Sequence, residues 1–547
     1  MLPFRSCLAA LMRRLRGPLL ARVLLSAFAG IVEVAASLGF VWASKNVIDA
    51  ATGGVAGAFR PAVILFVGLA FIRTLFRILI PYWQGFILVL TQNQMRRDTF
   101  SHVMRSVWTG RERFHSGDTI NRLEQDISVI SDFLCICLPD LFVTGVQLVA
   151  AAWFLLSLAP ARVAWTLILI MPLAVAGSLA FFRKTRRLTG QIRALDSSIQ
   201  GHMQENLQHR VLILTLQGAG KVLRRLGLLQ DELKGKTVSR LNYSAFSRSF
   251  MNLGFICGYS LAFLWGASGI KDGTVTYGVM VAFLQLVSQV QRPVADIARN
   301  VPAFIRALSS EERLMELGEL SLEDEGEDIV LSGAPGIRLE NLSFSYPDQG
   351  RDVISGLDFD FKPGTMTVVM GPTGVGKSTL IRLILALLRP SSGSVRLYGS
   401  VSGDVPAGVR TRCNFLYVPQ GNSLMSGTIR ENLLLANPDA GEEELHKALH
   451  MAAADFVEEL PGGLDSSCSE VGSGLSEGQA QRIAIARALL RPGGVIILDE
   501  ATSALDEKTE SEVLSRIAGE YLPGKTIICV THRAAALSYA DAVLRLD

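Results

Sequence analysis

Gly371-Pro372-Thr373-Gly374-Val375-Gly376-Lys377-Ser378, with Thr379 behind it, fits the pattern Gly-x4-Gly-Lys-Ser/Thr in full. The glycines let backbone N–H groups wrap an anion, and the N-terminus of a following helix would turn its positive end toward it. The flanks agree. Thr365–Met370 is apolar and β-branched and reads as a strand, and Thr379–Leu388 reads as a helix. Strand, glycine loop and helix in that order predict an α/β domain holding a polyphosphate. Lys377 is placed to reach the β- and γ-phosphates of ATP, and Ser378 to ligate Mg²⁺.

Downstream, Val495-Ile-Ile-Leu498 is an apolar run ending in Asp499-Glu500. A buried strand would deliver both carboxylates at its C-terminal end, where α/β sheets bind ligands. Asp499 is expected to hold Mg²⁺, directly or through water, and Glu500 to orient or deprotonate an attacking water. Phosphoryl transfer asks little else of a protein than positioning and charge stabilisation.

Upstream the composition changes. The chain has 547 residues, too long for one ordinary domain. Mean hydropathy is +0.33 and charged residues are 19%, below the roughly 25% of soluble proteins. The apolar residues crowd into the part before Leu308. Spans of about 20 apolar residues cross a bilayer. Six candidates lie near Val23–Ala50, Pro61–Leu90, Phe133–Leu158, Val163–Phe182, Phe246–Ile270 and Tyr277–Val301. Gly53–Ala58, Ala159–Arg162 and Lys271–Thr276 are short connections. The others are long, polar and rich in arginine: Arg96, Arg97, Arg105, Arg111 and Arg113 after the second span, and Arg183, Lys184, Arg186, Arg187 and Arg193 after the fourth. Positive charge marks the cytoplasmic side, so these connections and both termini belong there. Six spans also argue against a nucleic-acid partner.

Arg5, Arg13, Arg14, Arg16 and Arg22 precede the first span with no acid among them, which predicts an amphipathic helix on the membrane surface. Within the spans stand Glu33, Arg73 and Arg77. Deep charges need a partner or a wet cavity. Arg73 and Arg77 line a cavity that attracts an anionic substrate, pair internally with Glu33, or stand in a hydrated outer opening. Pro81, Pro139, Pro172 and Pro293 predict kinks or boundaries. The seven cysteines are scattered and give no metal or disulfide framework. The charged stretch Ser309–Gly326 is read as the sixth helix continued out of the membrane, followed by the loop Leu331–Gly336. The expected organisation is a multidomain chain: an all-α polytopic membrane domain over 1–320, a linker over 321–336, and an α/β P-loop domain over 337–547.

A third motif carries a family resemblance. Leu475-Ser-Glu-Gly-Gln479 precedes the helical run Ala480–Leu490. With the P-loop before it and the Val495–Glu500 strand after it, this resembles the signature of ATP-binding cassette (ABC) proteins. Six membrane helices followed by one cassette resembles the fused half-transporters of the exporter group. The resemblance implies further roles. Tyr346 would stack on adenine, Gln420 would sense Mg²⁺ and contact the membrane domain, and His532 would contact the γ-phosphate. Asp506 would belong to the D-loop in Ser503-Ala-Leu-Asp506, and Glu470 to a loop meeting a coupling helix. Ser476, Gly478 and Gln479 would face the P-loop of a second cassette. Phe114–Asp126 and Gln204–Val211 resemble the two coupling segments.

Three departures stand out. Glu477 replaces the commoner glycine, Ser469–Gly474 is compressed, and the chain reaches Asp547 soon after His532. One P-loop and one signature per chain imply a homodimer or heterodimer of half-transporters. The activity implied is ATP-driven export of a lipid, drug, peptide or other amphiphile across a bacterial inner membrane; the alternatives are import of a metal chelate, or one half of a heterodimeric transporter with an asymmetric ATP site. The substrate is not legible.

Overall fold

The structure is a computed structural model, and it describes residues 4–52, 59–108, 116–158, 160–324, 326–346, 351–399, 403–468, 474–522 and 524–546. It falls into two units, Met1–Val103 with Gly117–Glu319, and Met104–Ser116 with Leu320–Asp547. Glu470, the first short connection and His115 of the first coupling segment lie outside the described residues.

The first unit is helical. α1 is Phe4–Arg14, α2 Pro18–Ala51, α3 Phe59–Met104, and α4 runs over 116–158 with π-helical turns at Arg122–Asp126 and Phe133–Cys137. α5 is Ala161–Gln208, α6 Arg210–Thr215, α7 Ala219–Lys271 and α8 Tyr277–Gly318. Local chemistry sets several ends. Pro18 opens α2, where its missing N–H costs nothing. Thr276 caps α8, its hydroxyl accepting from the Val279 N–H at 3.2 Å. Pro81, Pro172 and Pro293 lie inside α3, α5 and α8, so these helices run through them.

Four described helical stretches are long and apolar enough to cross a membrane: Pro18–Ala51, Phe59–Met104, Asp118–Leu158 and Ala219–Lys271. The fourth expected span lies on α5, whose described apolar stretch is the shorter Arg162–Ala174. The sixth lies on α8, where Gln285, Gln289 and Gln291 break the apolar run. α5 and α7 form a long hairpin closed by α6, with Phe181 stacked 6.2 Å from Phe246. α7 approaches α8 closely at Gly258, where a Cβ would fall 1.9 Å from Gln291 Nε2, so no larger residue fits without displacement.

The N-terminal helix takes a different partner from the one its sequence suggests. Cys7, Leu11 and Leu15 are buried. The Arg14 Nε donates to both carboxylate oxygens of Glu311 at 2.9 Å, and Glu311 is 1% exposed. The apolar face of α1 is thus spent on α8, while Arg5, Arg13 and Arg16 stay exposed. α8 is also held by α4. Arg122 pairs with Asp118 at 2.9 Å and Glu316 at 2.7 Å, and Asp126 accepts from Ser310 and Arg313, both at 2.8 Å. Among the described residues no ion pair joins Glu33 to Arg73 or Arg77. The Arg73 guanidinium lies 5.6 Å over the Phe40 ring, and its Nε is buried with no hydrogen-bond partner.

The second unit holds the sheets. An antiparallel sheet orders β2 (Ile354–Phe361), β1 (Gly336–Phe344), β4 (Ser392–Tyr398) and β5 (Val405–Pro406). A parallel sheet orders β11 (Ala542–Arg545), β3 (Met366–Met370), β10 (Thr526–Val530), β9 (Val495–Asp499) and β6 (Phe415–Val418). A two-stranded ribbon pairs β7 (Gly427–Thr428) with β8 (Ser467–Cys468). The helices are α9 (Lys377–Ile384), α10 (Ile429–Leu434), α11 (Glu442–Met451), α12 (Glu477–Leu490) and α13 (Glu507–Tyr521). β9 and β10 are buried along their whole length, as continuous apolar strands of a covered parallel sheet must be. Their C-terminal ends, with that of β3, open on one edge.

Candidate nucleotide-binding site

At that edge the loop between β3 and α9 needs backbone conformations that only glycine adopts freely. Gly374 and Gly376 have φ of 88° and 113°. Gly376 then directly precedes α9, whose first residues are Lys377, Ser378 and Thr379. Lys377 is 6% exposed; its Nζ donates to the carbonyls of Gly371 at 2.8 Å and Pro372 at 3.1 Å. The same Nζ lies 2.9 Å from His532 Nε2, which lies 3.2 Å from Glu500 Oε1. Gln420 Nε2 donates to Glu500 Oε2 at 2.6 Å. Four residues from four segments of the chain therefore meet in one polar cluster.

Glu500 reaches that cluster through a strained backbone. Its φ is 50°, in the left-handed region, which non-glycine residues seldom occupy. Its N–H bonds the Val530 carbonyl at 3.0 Å, and its own carbonyl accepts from Ser503 at 3.2 Å. These bonds hold the turn that points the carboxylate off the end of β9. Such strain persists only where the surroundings fix it, and it clusters at working sites.

Asp499 precedes it, 3% exposed. Its Oδ2 accepts from the Tyr417 hydroxyl at 3.4 Å, whereas Oδ1 is buried with no partner in the protein. Burial, and secondarily the charge of Glu500, push its carboxyl above the usual carboxylate range, while the Tyr417 hydrogen bond and then the charge of Arg382 oppose them. Burial, then the Asp499 charge, pushes the Tyr417 phenol upward as well. A buried carboxylate oxygen without a donor, with a serine hydroxyl beside it and Gln420 bonded to the adjacent Glu500, is an oxygen-donor set suited to a small divalent cation such as Mg²⁺.

Tyr346, Thr373, Gly374, Gly376, Lys377, Ser378, Thr379, Gln420, Glu500 and His532 line one cleft of about 480 Å³. Val375 packs at the margin of the cassette core beside β1 and β3. The Tyr346 hydroxyl is 3.2 Å from the Thr379 Oγ1.

The signature residues stand elsewhere. Ser476, Gly478 and Asp506 line a second cleft, of about 400 Å³, that shares no lining residue with the first. Ser476 caps α12, accepting from the Gln479 N–H at 3.2 Å, while Gln479 Oε1 accepts from the Ser476 N–H at 2.8 Å. Glu477, the departure from the family pattern, is the first residue of α12, where an acid favours the helix dipole. Gly478 passes so near the next loop that a Cβ would lie 3.0 Å from the Ala504 carbonyl oxygen. Asp506 caps α13, its Oδ1 accepting from Thr509 N–H at 3.0 Å; these N–H bonds hold its carboxyl below the usual range.

Three further residues join the loops, and none was singled out from sequence. Gln481 bonds Ser503 at 3.1 Å and the Ala504 N–H at 3.0 Å, buttressing the D-loop from α12. Arg533, next to His532, donates to the carbonyls of Leu505 and Ser503, both at 2.6 Å, and to Glu510 at 3.0 Å. Glu510 is fully buried and also accepts from the Thr502 hydroxyl at 2.7 Å. The neighbours of recognised motifs carried the only available signal.

A helical membrane unit joined to a cassette with this phosphate cleft defines a membrane-embedded ATPase. Residues 23–294 match the ABC transporter transmembrane region, and residues 354–503 match the ABC transporter family. The uncharacterized ABC transporter ATP-binding protein YfiB of Bacillus subtilis is 30% identical over 458 residues, covering 83% of this chain and 78% of that protein. A protein of Rickettsia bellii, described provisionally as an export ATP-binding/permease protein, is 28% identical, covering 83% and 79%. The solved structure of a bacterial Atm1-family ABC exporter with ATP bound shares the fold, with a TM-score of 0.81, 23% identity, and coverage of 97% of this chain and 95% of that one. The chain belongs to the ABC transporter family, with the fused half-transporter layout. It is an integral membrane protein of the lipid bilayer that binds ATP and couples its hydrolysis to transport, and half-transporters of this family dimerise.

Proposed function

We propose that the chain is one half of a dimeric exporter that hydrolyses ATP with Mg²⁺ in a bacterial inner membrane and moves a lipid, drug, peptide or other amphiphile outward. The observation that carries the dimer is the separation of the two clefts. The phosphate cleft contains the P-loop, Glu500, His532 and Gln420, and none of the signature residues. Ser476, Gly478, Gln479 and Asp506 of the second subunit complete it. The outward direction is supported by the description of the Rickettsia bellii relative.

In the working site Tyr346 stacks on the adenine. The backbone of Gly371, Pro372, Thr373, Gly374, Val375 and Gly376, with Thr379, surrounds the phosphates, and Lys377 neutralises the β- and γ-oxygens. Ser378, Gln420 and Asp499 are the residues that would hold Mg²⁺, which supplies charge neutralisation to the phosphates. Glu500 orients a water and accepts its proton as the water oxygen bonds to the γ-phosphorus. The bond to the β–γ bridging oxygen breaks, leaving ADP and inorganic phosphate. His532 holds the γ-phosphate against Glu500. ATP bridges two subunits only when they are closed, and this differential affinity drives the membrane halves between states.

Replacing Glu500→Gln keeps the size and the Gln420 contact but removes the proton acceptor. The variant, reconstituted in lipid, is expected to bind ATP and dimerise while turning over about 100-fold more slowly or worse. ATPase rates near those of the unaltered protein would refute the assignment.

A further inference from the structure

The second unit contains a short piece of chain, Met104–Ser116, that follows the second long helix. At its start the backbone leaves α3 and pairs with the segment that follows α8. Ser106 bridges Leu322 in antiparallel fashion, the Val107 N–H donates to the Ser321 carbonyl at 2.8 Å, and the Glu323 N–H donates to the Arg105 carbonyl at 2.9 Å. Both members of this clasp grip the same helix. Glu323 receives a two-pronged bond from Arg412 at 2.7 and 2.8 Å, and Arg412 also bonds the carbonyls of Leu385 and Ala386, just past the end of α9. Trp108 stacks 5.1 Å from the guanidinium of Arg382, in the last turn of α9.

Arg382 faces two aromatic residues. Besides the Trp108 ring, its Nη1 lies 3.4 Å from the Tyr346 hydroxyl, which itself is 3.2 Å from the Thr379 Oγ1. Trp108 and Tyr346 pack against the same apolar core. An indole over a guanidinium fixes a side chain that would otherwise rotate freely. The fixed guanidinium then holds the Tyr346 hydroxyl, and with it the plane of the ring.

We propose that Trp108 is a specificity-determining positioning residue for the nucleotide: through Arg382 it sets the Tyr346 ring against the adenine base, so that the clasp joining both crossings of the chain bears on base recognition. This rests on the adenine role of Tyr346. Among the described contacts nothing in the clasp touches Lys377, Glu500 or His532; its links toward the phosphates are the Tyr346–Thr379 contact and the charge of Arg382, and that charge stays in Trp108→Ala.

The test uses the full-length protein in lipid vesicles. KM for ATP is compared with the inhibition constant of inorganic tripolyphosphate, which has phosphates but no base. Trp108→Ala is expected to raise KM for ATP about threefold or more, the worth of one exposed cation–π contact and the ring it orders. The tripolyphosphate constant should stay unchanged, and Trp108→Phe, which keeps an aromatic face, should recover part of the loss. The double variant Trp108→Ala with Tyr346→Ala should be no worse than Tyr346→Ala alone. An unchanged KM in Trp108→Ala, or a parallel rise in the tripolyphosphate constant, overturns the proposal. If Tyr346→Ala alone leaves KM unchanged, the adenine role fails and the proposal with it; if it raises KM while Trp108→Ala does not, only the proposal fails.

Discussion

Replacing Glu510 with alanine should loosen the switch loop and the D-loop together. Its carboxylate is wholly buried, one oxygen taking the Thr502 hydroxyl at 2.7 Å and the other the Arg533 guanidinium at 3.0 Å. A buried hydrogen bond to a charged group contributes about 1.5–3 kcal/mol, and its loss leaves the Thr502 hydroxyl without a partner. Arg533 is 36% exposed, so water screens its share, which adds at most about 1 kcal/mol. The sum is about 3 kcal/mol, equivalent to a fall of roughly 6–12 °C in the cassette melting transition. Glu510→Gln keeps one oxygen to accept from Arg533, while its amide nitrogen can only donate, so the Thr502 contact survives with its direction reversed; with the ionic attraction gone and both groups still bonded, the substitution should cost about half as much. The assay is thermal unfolding of the lipid-reconstituted protein, with ATPase rates taken well below the transition. Because Arg533 follows His532 directly, kcat should fall in Glu510→Ala while KM for ATP changes little. A melting transition within a degree of the unaltered protein, with kcat intact, would show that the buried network holds neither loop.

Asp499 gives a pH-dependent test. Its carboxyl is raised, so the folded, ligand-free cassette holds a proton there that the unfolded chain, near the ordinary carboxylate value of about 3.9, has already released. Stability from this group therefore falls as pH rises through that interval. Asp499→Asn should stabilise the ligand-free protein, by more at pH 7 than at pH 4, and thermal unfolding across that range checks the sign. In the membrane unit, Arg73→Gln combined with Arg77→Gln should abolish ATPase stimulation by anionic amphiphiles and spare that by zwitterionic ones; an unaltered response to both in vesicle assays would remove these arginines from any substrate path.

The motifs that were legible are the local ones. Thr365–Thr379 and Val495–Glu500 each carry a strand and the polar turn at its end within one short stretch, so the order of residue types alone specifies the site's parts. The signature was legible through its resemblance to a family motif, standing as it does between the P-loop and the Val495–Glu500 strand. The linking residues were not, because each meets its partner from another element: Gln481 meets Ser503 22 positions on, Arg533 meets Glu510 23 positions back, and Trp108 meets Arg382 far along the chain. A tryptophan or a glutamate in a polar stretch has the same appearance whether it is solvated or buried. The first helix shows the same ambiguity in another form. An apolar stripe with flanking arginines suits a lipid surface or a protein groove equally, and only the buried acid Glu311 on α8 decides between them. The three glutamines of α8 are a similar case, polar enough to weaken the hydropathy signal of a helix that α4 and α7 pack against.

The bond between Arg14 and Glu311 joins residues 297 positions apart. At roughly 5–20 residues per second, a ribosome needs about 15–60 s to make the intervening chain. The greasy side of the leading helix is finished almost at once and then waits for its seat until the last span has emerged. Newborn chains halted before Glu311 should therefore leave Cys7 open to thiol reagents, whereas completed ones shield it. A Cys7 equally shielded on both would mean that something other than α8 shelters it during synthesis.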